Sequence, residues 1–411
     1  MAARHVLQGA EESAAAEGSQ DAAQAWCTRR KMNGARLPHV MFVADKLGYP
    51  GGVSYGITTY CLHVLPALVK AGVPLTACFF RGPHPAGEAL EALGVRTVFL
   101  SARKFDPMVL RPLMALAREH RCEILHAAGY ASTLMARLTT RFLPARTVLH
   151  AHDLHRPGLA VRLLEAALSR HSDTGVCVSA AAREMAATVY HLPPERVRVI
   201  HNGIDIDRFR DISPGARARV RAELGIPSAA PVIGIVARIY TVKGHKALIA
   251  MMPEVLKALP DARLLIVGDG PDRSTCEAVV DRLGLREGVI FTGQREDVAE
   301  LLCAFDAFAM PSDSEGLPMS AIEALAMGVP VVGYDVGGVS EVVHHGHTGC
   351  LVEHGDTAAF VRALVSLLKD PVTHAAWSEN ARAAGERFGI ARHVRELIDL
   401  YNELATKESR A

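Results

Sequence analysis

The 411-residue sequence has almost no net charge, few aromatic residues and no long apolar run. A formal net charge of +1 argues against a protein that binds nucleic acid as a whole. No apolar stretch approaches the roughly 18 residues that a membrane-spanning helix needs. The N-terminal region also lacks the continuous apolar core of a signal peptide. Aromatic residues make up only 5%, so alanine, valine and leucine must fill the core.

Two kinds of motif are also missing. None of the eight cysteines forms a C-x-x-C pair, and their spacing matches no metal site. Free thiols in apolar surroundings fit a reducing compartment, so we expect a cytoplasmic protein without a metal site. The pattern G-x-G-x-x-G is absent as well, which argues against a nicotinamide-dependent dehydrogenase.

Charge is distributed unevenly. Residues 37–205 contain 18 basic and 12 acidic residues, whereas residues 206–411 contain 22 basic and 28 acidic residues. Such an asymmetry is typical of two domains with different partners, although drift of surface residues would give the same numbers.

The order of apolar runs predicts two α/β domains. Residues 1–36 are rich in Ala, Glu, Ser and Gly and are predicted to be disordered or weakly helical, with Met32 as an alternative start. Short apolar runs then alternate with helical patterns over 37–205 and again over 206–390, which predicts two Rossmann-like domains with parallel sheets. Residues 202–230 are interpreted as a linker, and 391–411 as a helix that could pack on the first domain. If the two sets of strand-end loops face each other, ligands bind in the cleft between them.

The strongest motif runs from Ser314 to Glu323. A predicted strand ends near residue 311, a polar loop carries Glu315, and Pro318 stands in the first turn of a helix. The start of a helix presents unpaired N–H groups and a positive dipole end, both suited to phosphate. Glu315 and Glu323 could bracket such an anion through hydroxyl contacts. The alternative is two solvated acidic residues.

Two further loops of the second domain follow predicted strands. Arg238 and Lys243 precede Gly244 at a strand-to-helix turn, where a guanidinium and an ammonium would suit a phosphate. Gly268 and Gly270 end another strand, and glycines there would let a ligand approach the backbone. Each motif alone also fits an ordinary surface turn.

The first domain carries weaker motifs. Gly51 and Gly52 follow the first strand, at the place of a phosphate loop or a simple turn. His150 and His152 alternate along a strand and so share one of its sides, with Asp153 next to them. His152 is the better-placed candidate, and His126 is predicted to end another strand.

In this order, these motifs resemble those of the family-4 retaining glycosyltransferases, whose fold is GT-B: two Rossmann-like α/β domains. The matching elements are listed here: Gly51-Gly52, H-A-H-D at 150–153, V-I-H-N-G-I-D at 199–205, R-x4-K-G at 238–244, G-D-G-P at 268–271, E-x7-E at 315–323 and the stretch 330–343. The resemblance covers residues 37 to 390, and it is most specific in the second half.

The resemblance implies a role for each matching residue. Arg238 and Lys243 would hold the donor diphosphate, Glu315 the donor sugar hydroxyls and Glu323 the ribose. His152 would help to position the donor sugar. The donor would also contact the remaining matched residues: Gly51, Gly52, Gly268, Gly270, Gly316, Leu317, Pro318 and, through its base, Arg295.

The implied activity is transfer of a sugar from a nucleotide-sugar to a glycan or lipid-linked acceptor, with retention of anomeric configuration, in cell-surface polysaccharide synthesis. No metal and no cofactor are implied. E-G-L-P-M favours a UDP-sugar, with GDP-mannose left open. The alternatives are a nucleotide-sugar epimerase and a non-catalytic nucleotide-sugar-binding protein of the same fold.

A basic, partly apolar stretch at 101–121 suggests peripheral contact between the first domain and the inner face of a membrane. The apolar residues of this stretch are Met108, Val109, Leu113, Met114 and Leu116. The alternative is an ordinary helix that packs its apolar side on the sheet.

Overall fold

The computed structural model describes residues 36–49, 56–103, 106–152, 154 and 158–406. Gly51, Gly52, Asp153 and all but the last residue of the predicted N-terminal extension lie outside this part of the chain. The chain divides into two compact units. Unit 1 comprises Met1–Gly203 and Ile390–Ala411, and unit 2 comprises Ile204–Gly389. The boundary after Gly203 lies two residues before the predicted one, and the boundary after Gly389 lies one residue before the predicted one.

Unit 1 is built on a seven-stranded parallel sheet in the order β3-β2-β1-β4-β5-β6-β7. The strands are β1 Val40–Ala44, β2 Leu75–Phe79, β3 Arg96–Phe99, β4 Ile124–Ala128, β5 Arg146–Ala151, β6 Thr174–Cys177 and β7 Val197–Val199. Val40 pairs with both Leu75 and Ile124, because β1 lies between β2 and β4. Most of these strands are short apolar runs buried along their length, as expected for a parallel sheet covered on both faces.

Helices cover both faces of this sheet. They are α1 Gly56–Lys70, α2 Pro85–Ala92, α3 Leu110–Glu119, α4 Tyr130–Thr140, α5 Leu159–Leu168 and α6 Ala180–Val189. Residues of α1 and α2 pack in one core cluster and residues of α3 and α4 in another.

Unit 2 repeats the architecture with six parallel strands in the order β10-β9-β8-β11-β12-β13. The strands are β8 Val232–Val236, β9 Arg263–Val267, β10 Val289–Gly293, β11 Ala307–Met310, β12 Val331–Tyr334 and β13 Gly349–Val352. The helices are α7 Asp207–Arg210, α8 Ala216–Glu223, α9 His245–Ala258, α10 Arg273–Arg282, α11 Val298–Leu302, α12 Met319–Ala326, α13 Val339–Val342, α14 Thr357–Lys369 and α15 Pro371–Gly385. The α/β class with two parallel sheets is therefore confirmed.

In each sheet the strand order reverses at one place, between β1 and β4 and between β8 and β11. Loops at the carboxyl ends of the two central strands diverge there, and ligands of open α/β sheets bind at such switch points. The loops after β8 and β11 carry Arg238, Lys243 and Glu315.

The last helix, α16 Ile390–Thr406, belongs to unit 1. Leu397, Ile398 and Tyr401 of this helix are buried and join the core cluster that contains β1 and α1. Besides Tyr401, this helix buries a second polar side chain, that of His393.

Two features differ from the sequence analysis. Residues 202–230 are more than a linker, since α7 and α8 form within them and Arg221 of α8 is buried, donating to the carbonyl groups of Ala304, Ser228 and Ala230. His126 lies in the middle of β4 rather than at its end.

The helix predicted within 101–121 exists as a 3₁₀ turn, Pro107–Val109, followed by α3. Val109, Leu113 and Ala117 are buried in the core, so the apolar side of this helix packs inside the unit. Among the described residues of 101–121, Met108 is the large apolar side chain that remains exposed. Within the described chain, no helix combines the length and hydropathy required to cross a membrane.

Candidate active site

The loops after β8 and β11 are locked together by backbone contacts at the switch point of unit 2. Gly244 has φ +73°, and a Cβ atom at this position would lie 2.0 Å from the carbonyl oxygen of Pro311. The N–H of Asp313 donates to the carbonyl group of Val242 at 2.8 Å. Only glycine fits this left-handed, tightly packed position, and it brings the Lys243 turn against the end of β11.

Lys243 and Glu315 meet at this junction. The Nζ atom of Lys243 lies 2.8 Å from Oε1 and 2.9 Å from Oε2 of Glu315. Glu315 is buried, and its backbone carbonyl accepts from the N–H of Gly338 at 3.0 Å. An ammonium group and a buried carboxylate are thus held in place before any ligand arrives, which is the condition for strong electrostatic stabilisation.

Arg238 lies on the same loop as Lys243. Its guanidinium carbon is 5.6 Å from the centre of the Tyr240 ring, within range of a cation–π interaction, and the residue is half-buried. The loop after β8 therefore supplies two cations to one edge of the sheet.

Gly268 and Gly270 support the Arg238 loop. A Cβ atom would lie 2.1 Å from the carbonyl oxygen of Ala237 at Gly268, and 2.1 Å from that of Ile239 at Gly270. Backbone bonds join the two loops, since Ile239 N–H donates to the Asp269 carbonyl at 3.0 Å. The neighbouring backbone requires glycine at both positions, and the predicted approach of a ligand there stays a prediction.

The loop after β11 leads into α12. Pro318 takes the N-cap position, one residue before the helical turn in which it was predicted, and no side chain caps the helix. Leu317 and Pro318 are buried, and Gly316 is half-buried. The first N–H groups of a helix need partners from outside the helix, so this helix start beside Glu315 is suited to an anion.

Glu323 lies in the second turn of α12 and is half-buried. Burial raises the pKa of its carboxyl group to about 7, although the nearby charge of Arg208 opposes the shift. Near neutral pH this group can therefore donate or accept a hydrogen bond, as a contact to a hydroxyl group requires.

Arg295 follows β10, two strands away from β8. With neighbouring strands about 4.8 Å apart, the two strands are separated by about 10 Å. Its guanidinium donates to Asp297 at 2.7 and 2.6 Å and to Glu223 at 2.8 Å, and these bonds raise its pKa. This arginine is thus already neutralised by two carboxylates, and its predicted contact with the base stays a prediction.

In unit 1 the predicted His150 is buried and His152 is half-buried, and both lie in a cluster of aromatic side chains. Their rings stack at 3.8 Å between centroids, which confirms that they share one side of β5. Tyr60 of α1 meets His152 edge-on at 4.7 Å. His126 Nε2 lies 2.9 Å from His150 Nδ1, and His126 Nδ1 lies 2.6 Å from the Tyr401 hydroxyl.

In a second part of the cluster, around His393, the hydrogen bonds define which ring nitrogen carries the proton. His393 Nδ1 lies 2.8 Å from the carbonyl oxygen of His201, so this nitrogen carries the proton and donates it. Nε2 of His393 is then an acceptor, and the Tyr60 hydroxyl donates to it at 3.2 Å. Sequence reasoning missed Tyr60, His393 and Tyr401, because they lie far along the chain from β5 and in no shared motif.

All four imidazoles of the cluster are held neutral. Burial lowers the pKa of His126 and His152 to about 3 and that of His393 to about 4. The pKa of His150 is also well below its usual value for the same reason. His152 is therefore a neutral group that can form hydrogen bonds but carries no charge. Among the described residues, no group of three or more His, Cys, Asp or Glu side chains could hold a metal ion.

Two protein-family models match this chain, one in each half. Residues 55–208 match the model "Glycosyltransferase Family 4", and residues 216–384 match "Glycosyl transferases group 1". The D-inositol 3-phosphate glycosyltransferase of Corynebacterium efficiens is 33% identical over 91% of this chain and 96% of its own length. The chain is a family-4 glycosyltransferase. It is therefore an enzyme with the GT-B fold, as the resemblance implies.

A further relative and a solved structure are also similar to this glycosyltransferase. A GDP-mannose-dependent phosphatidylinositol monomannoside mannosyltransferase of Mycolicibacterium smegmatis is 34% identical over 65% of this chain and 72% of its own length. The crystal structure of Anabaena HepE in complex with UDP superposes with a TM-score of 0.76, at 22% identity, covering 89% of this chain and all of HepE. The latter likeness supports the fold alone.

Proposed function

We propose that this glycosyltransferase transfers the sugar of a nucleotide-sugar, preferably a UDP-sugar, to a glycan or lipid-linked acceptor with retention of configuration. The acceptor would be a precursor of a cell-surface polysaccharide. The observation that carries the proposal is the Lys243–Glu315 pair, held beside the start of α12 at the switch point of unit 2.

The arrangement has the parts that a departing diphosphate requires. Lys243 and Arg238 supply two cations, and the start of α12 supplies N–H groups and a positive dipole end. An ammonium group has three donors, so Lys243 can keep Glu315 in place while it donates to a phosphate oxygen. Gly316 and its neighbours would then lie against the donor through their backbone.

The two carboxylates have different tasks in this proposal. Glu315, fixed by Lys243, accepts hydrogen bonds from hydroxyl groups of the donor sugar. Glu323, one helical turn further into α12, binds the ribose hydroxyls, for which a carboxyl group with a pKa of about 7 provides both donor and acceptor capacity.

The chemical step needs no enzyme nucleophile. The bond between the anomeric carbon and the diphosphate oxygen breaks, and the acceptor oxygen bonds to the same face of that carbon. The acceptor's proton passes to the departing diphosphate oxygen. Arg238 and Lys243 stabilise the charge that develops on the diphosphate, which is commonly the largest contribution to catalysis. These two cations can do the work of a metal ion, so we propose a metal-independent reaction.

A donor-hydrolysis panel with purified protein tests the proposal without knowledge of the acceptor. We expect release of UDP from a UDP-sugar, unchanged by EDTA, and loss of release in Lys243→Ala. Lys246→Ala is the matched control, because Lys246 is exposed one helical turn away. Release of GDP from GDP-mannose alone would overturn the donor preference. Equal release by Lys243→Ala and wild type would overturn the site, and loss with EDTA restored by a divalent ion would overturn the metal-independent step.

A further inference from the structure

The side chain of His152 is held in place by the rings of its neighbours. This residue follows the last residue of β5, at the carboxyl edge of the sheet, and it is half-buried. Its ring stacks on that of His150 with an interplanar angle of 27°, and the ring of Tyr60 meets it edge-on at 71°. Nε2 of His152 is buried and has no hydrogen-bond partner among the described residues. Within the described chain, ring packing therefore fixes this imidazole.

Tyr60 and His150 form two walls around His152. Stacked and edge-on arrangements are the favoured geometries of paired aromatic rings. Tyr60 of α1 also meets His150 edge-on, with the centroids 5.3 Å apart and the ring planes at 90°. Because His150 and His152 share one side of β5, Tyr60 packs against both imidazoles at once. Rotation of the His152 ring away from this position would break the stacked or the edge-on contact.

Each of these two walls is tethered by hydrogen bonds that end on α16. His150 Nδ1 lies 2.9 Å from His126 Nε2, and His126 Nδ1 lies 2.6 Å from the hydroxyl group of Tyr401. The Tyr60 hydroxyl donates to His393 Nε2 at 3.2 Å. Tyr401 and His393 are buried on one face of α16, about two helical turns apart. These bonds resist rotation of the rings, because breaking one would leave two buried polar atoms unpaired.

A purely structural role does not account for the polarity of this cluster. Burial of a polar group is unfavourable unless the group is hydrogen-bonded. Nε2 of His150 and Nε2 of His152 are both buried without a partner among the described residues. Neighbouring positions of the same core are filled by apolar side chains such as Phe42 and Val64, which pack without this penalty. Imidazoles at these positions are therefore unfavourable for packing alone and require a further reason.

We infer that Tyr60 and His150 are positioning residues, which hold the His152 ring in the orientation that contacts the donor sugar. A neutral imidazole has one donor and one acceptor nitrogen, so its orientation decides which of them meets a sugar hydroxyl. Helix α16 acts one step further away, since its hydrogen bonds hold the two walls. The inference rests on the proposed function, together with the contact of His152 that the resemblance implies.

A double-mutant cycle tests the inference on the full chain, with release of the nucleotide from the sugar nucleotide that the hydrolysis panel selects. We expect Tyr60→Leu, which removes the edge-on ring, to lower kcat roughly 10-fold with a smaller change in KM, because a displaced catalytic contact lowers the rate. In the His152→Ala background, Tyr60→Leu should cause no further loss, since it acts through His152. Tyr60→Phe, which keeps the ring, should recover most of the rate. Independent effects, which multiply in the double variant, would overturn the inference.

Phe79→Leu is the matched control. Phe79 is buried in the same core cluster as Tyr60 but stacks on Phe99, so this substitution should leave kcat unchanged. Thermal unfolding of each variant checks that the fold is kept. If Tyr60→Leu loses its thermal transition, His150→Asn takes its place in the cycle with the same expected result, since asparagine keeps hydrogen-bonding groups but no longer stacks on His152.

An NMR signal that does not depend on turnover separates this inference from the proposed function. Long-range proton–nitrogen spectra of enzyme labelled at the histidine nitrogens report each imidazole, and His152→Ala assigns the signals of His152. These signals should shift in Tyr60→Leu and stay in place in Phe79→Leu. Unchanged His152 signals in Tyr60→Leu would overturn the inference. Absence of nucleotide release in wild type, with His152 signals that shift as expected, would contradict the proposed function while supporting the hold of Tyr60 on the ring.

Discussion

The two units use polar side chains in opposite ways. Unit 2 places charged groups in loops at the edge of its sheet, where Lys243 is partly open to solvent and pairs with the buried Glu315. Unit 1 buries neutral imidazoles and phenols, such as His126 and Tyr401, between its sheet and its C-terminal helix. In unit 2 charge is concentrated where a diphosphate would leave, whereas burial keeps the imidazole and phenol cluster of unit 1 uncharged.

The neutral cluster should make unit 1 the more acid-sensitive of the two. A buried histidine whose folded pKa is lowered binds no proton near pH 5, but the unfolded chain does, so stability falls as the pH drops below about 6.5. Each such histidine costs about 2 kcal/mol between pH 7 and pH 5. Among the described residues, unit 1 contains three such buried histidines and the half-buried His152, whereas His245, whose pKa is lowered by burial to about 4, is the counterpart in unit 2.

Hydrogen exchange read by mass spectrometry at pH 7 and pH 5 measures this difference. Peptides from β4, β5 and α16 should lose protection before peptides from β8 and β11. Equal loss of protection in both units would contradict the prediction that the histidine cluster of unit 1 is neutral. Tyr401→Phe, which leaves His126 Nδ1 without its partner, should lower the free energy of unfolding by about 1–3 kcal/mol. Tyr240→Phe, at an exposed ring, is the control.

Removing one cation from unit 2 should affect turnover more than stability. Lys243→Ala or Arg238→Ala is expected to lower turnover at least ~100-fold, as the loss of one preorganised contact to a developing charge commonly does. Steady-state turnover of the donor, with Lys246→Ala alongside, measures the effect. Near-normal turnover in both single variants would contradict the proposed phosphate site in unit 2.

The two carboxylates should separate in their kinetics. Glu323→Gln is expected mainly to raise KM, because a ribose contact exists in ground and transition states alike, whereas Glu315→Gln should mainly lower kcat. Without donor, Glu323→Gln should also stabilise unit 2 at pH 8 relative to pH 5. A carboxyl group with a raised pKa is destabilising when ionised, and glutamine removes that penalty of about 1–3 kcal/mol. Glu287→Gln, at an exposed acidic residue, is the control, and the reverse kinetic pattern would exchange the two roles.

Much of this organisation can be predicted from sequence because it is local. Alternating apolar runs predict the strands and helices, and the spacing of Lys243-Gly244 and Glu315 predicts two loops at one sheet edge. The pairing across that edge depends on strand order, since β8 and β11 are neighbours although β9 and β10 separate them along the chain. The contacts of Tyr60 with His393 and of His126 with Tyr401 depend on packing of α16, and no periodicity reports them.

The glycines show the same limit. Gly268 and Gly270 are visible in the sequence as a strand-ending turn, but their reason lies in the carbonyl groups of Ala237 and Ile239, on another strand's loop. Leu159, Leu163 and Leu164 of α5 are a further case, because an apolar helix face predicts burial and yet these leucines are exposed. The buried residue of this helix is Glu165, which pairs with Arg137.

Arg295 should show the smallest effect and define where the charged region of unit 2 ends. Its ion pairs with Asp297 and Glu223 are half-exposed, so Arg295→Ala should lower the free energy of unfolding by about 0.5–1 kcal/mol. Because its charge is already paired, we expect the KM for the donor to change less than about threefold, far below the tenfold change that corresponds to about 1.4 kcal/mol of binding. Arg286→Ala, which removes a more exposed pair with Asp281, is the matched control. Donor KM and unfolding midpoints measured on both variants decide the matter. A tenfold rise in KM for Arg295→Ala, with stability equal to that of the control, would mean that this arginine leaves its carboxylates to contact the base, and the donor site would then extend from β11 to β10.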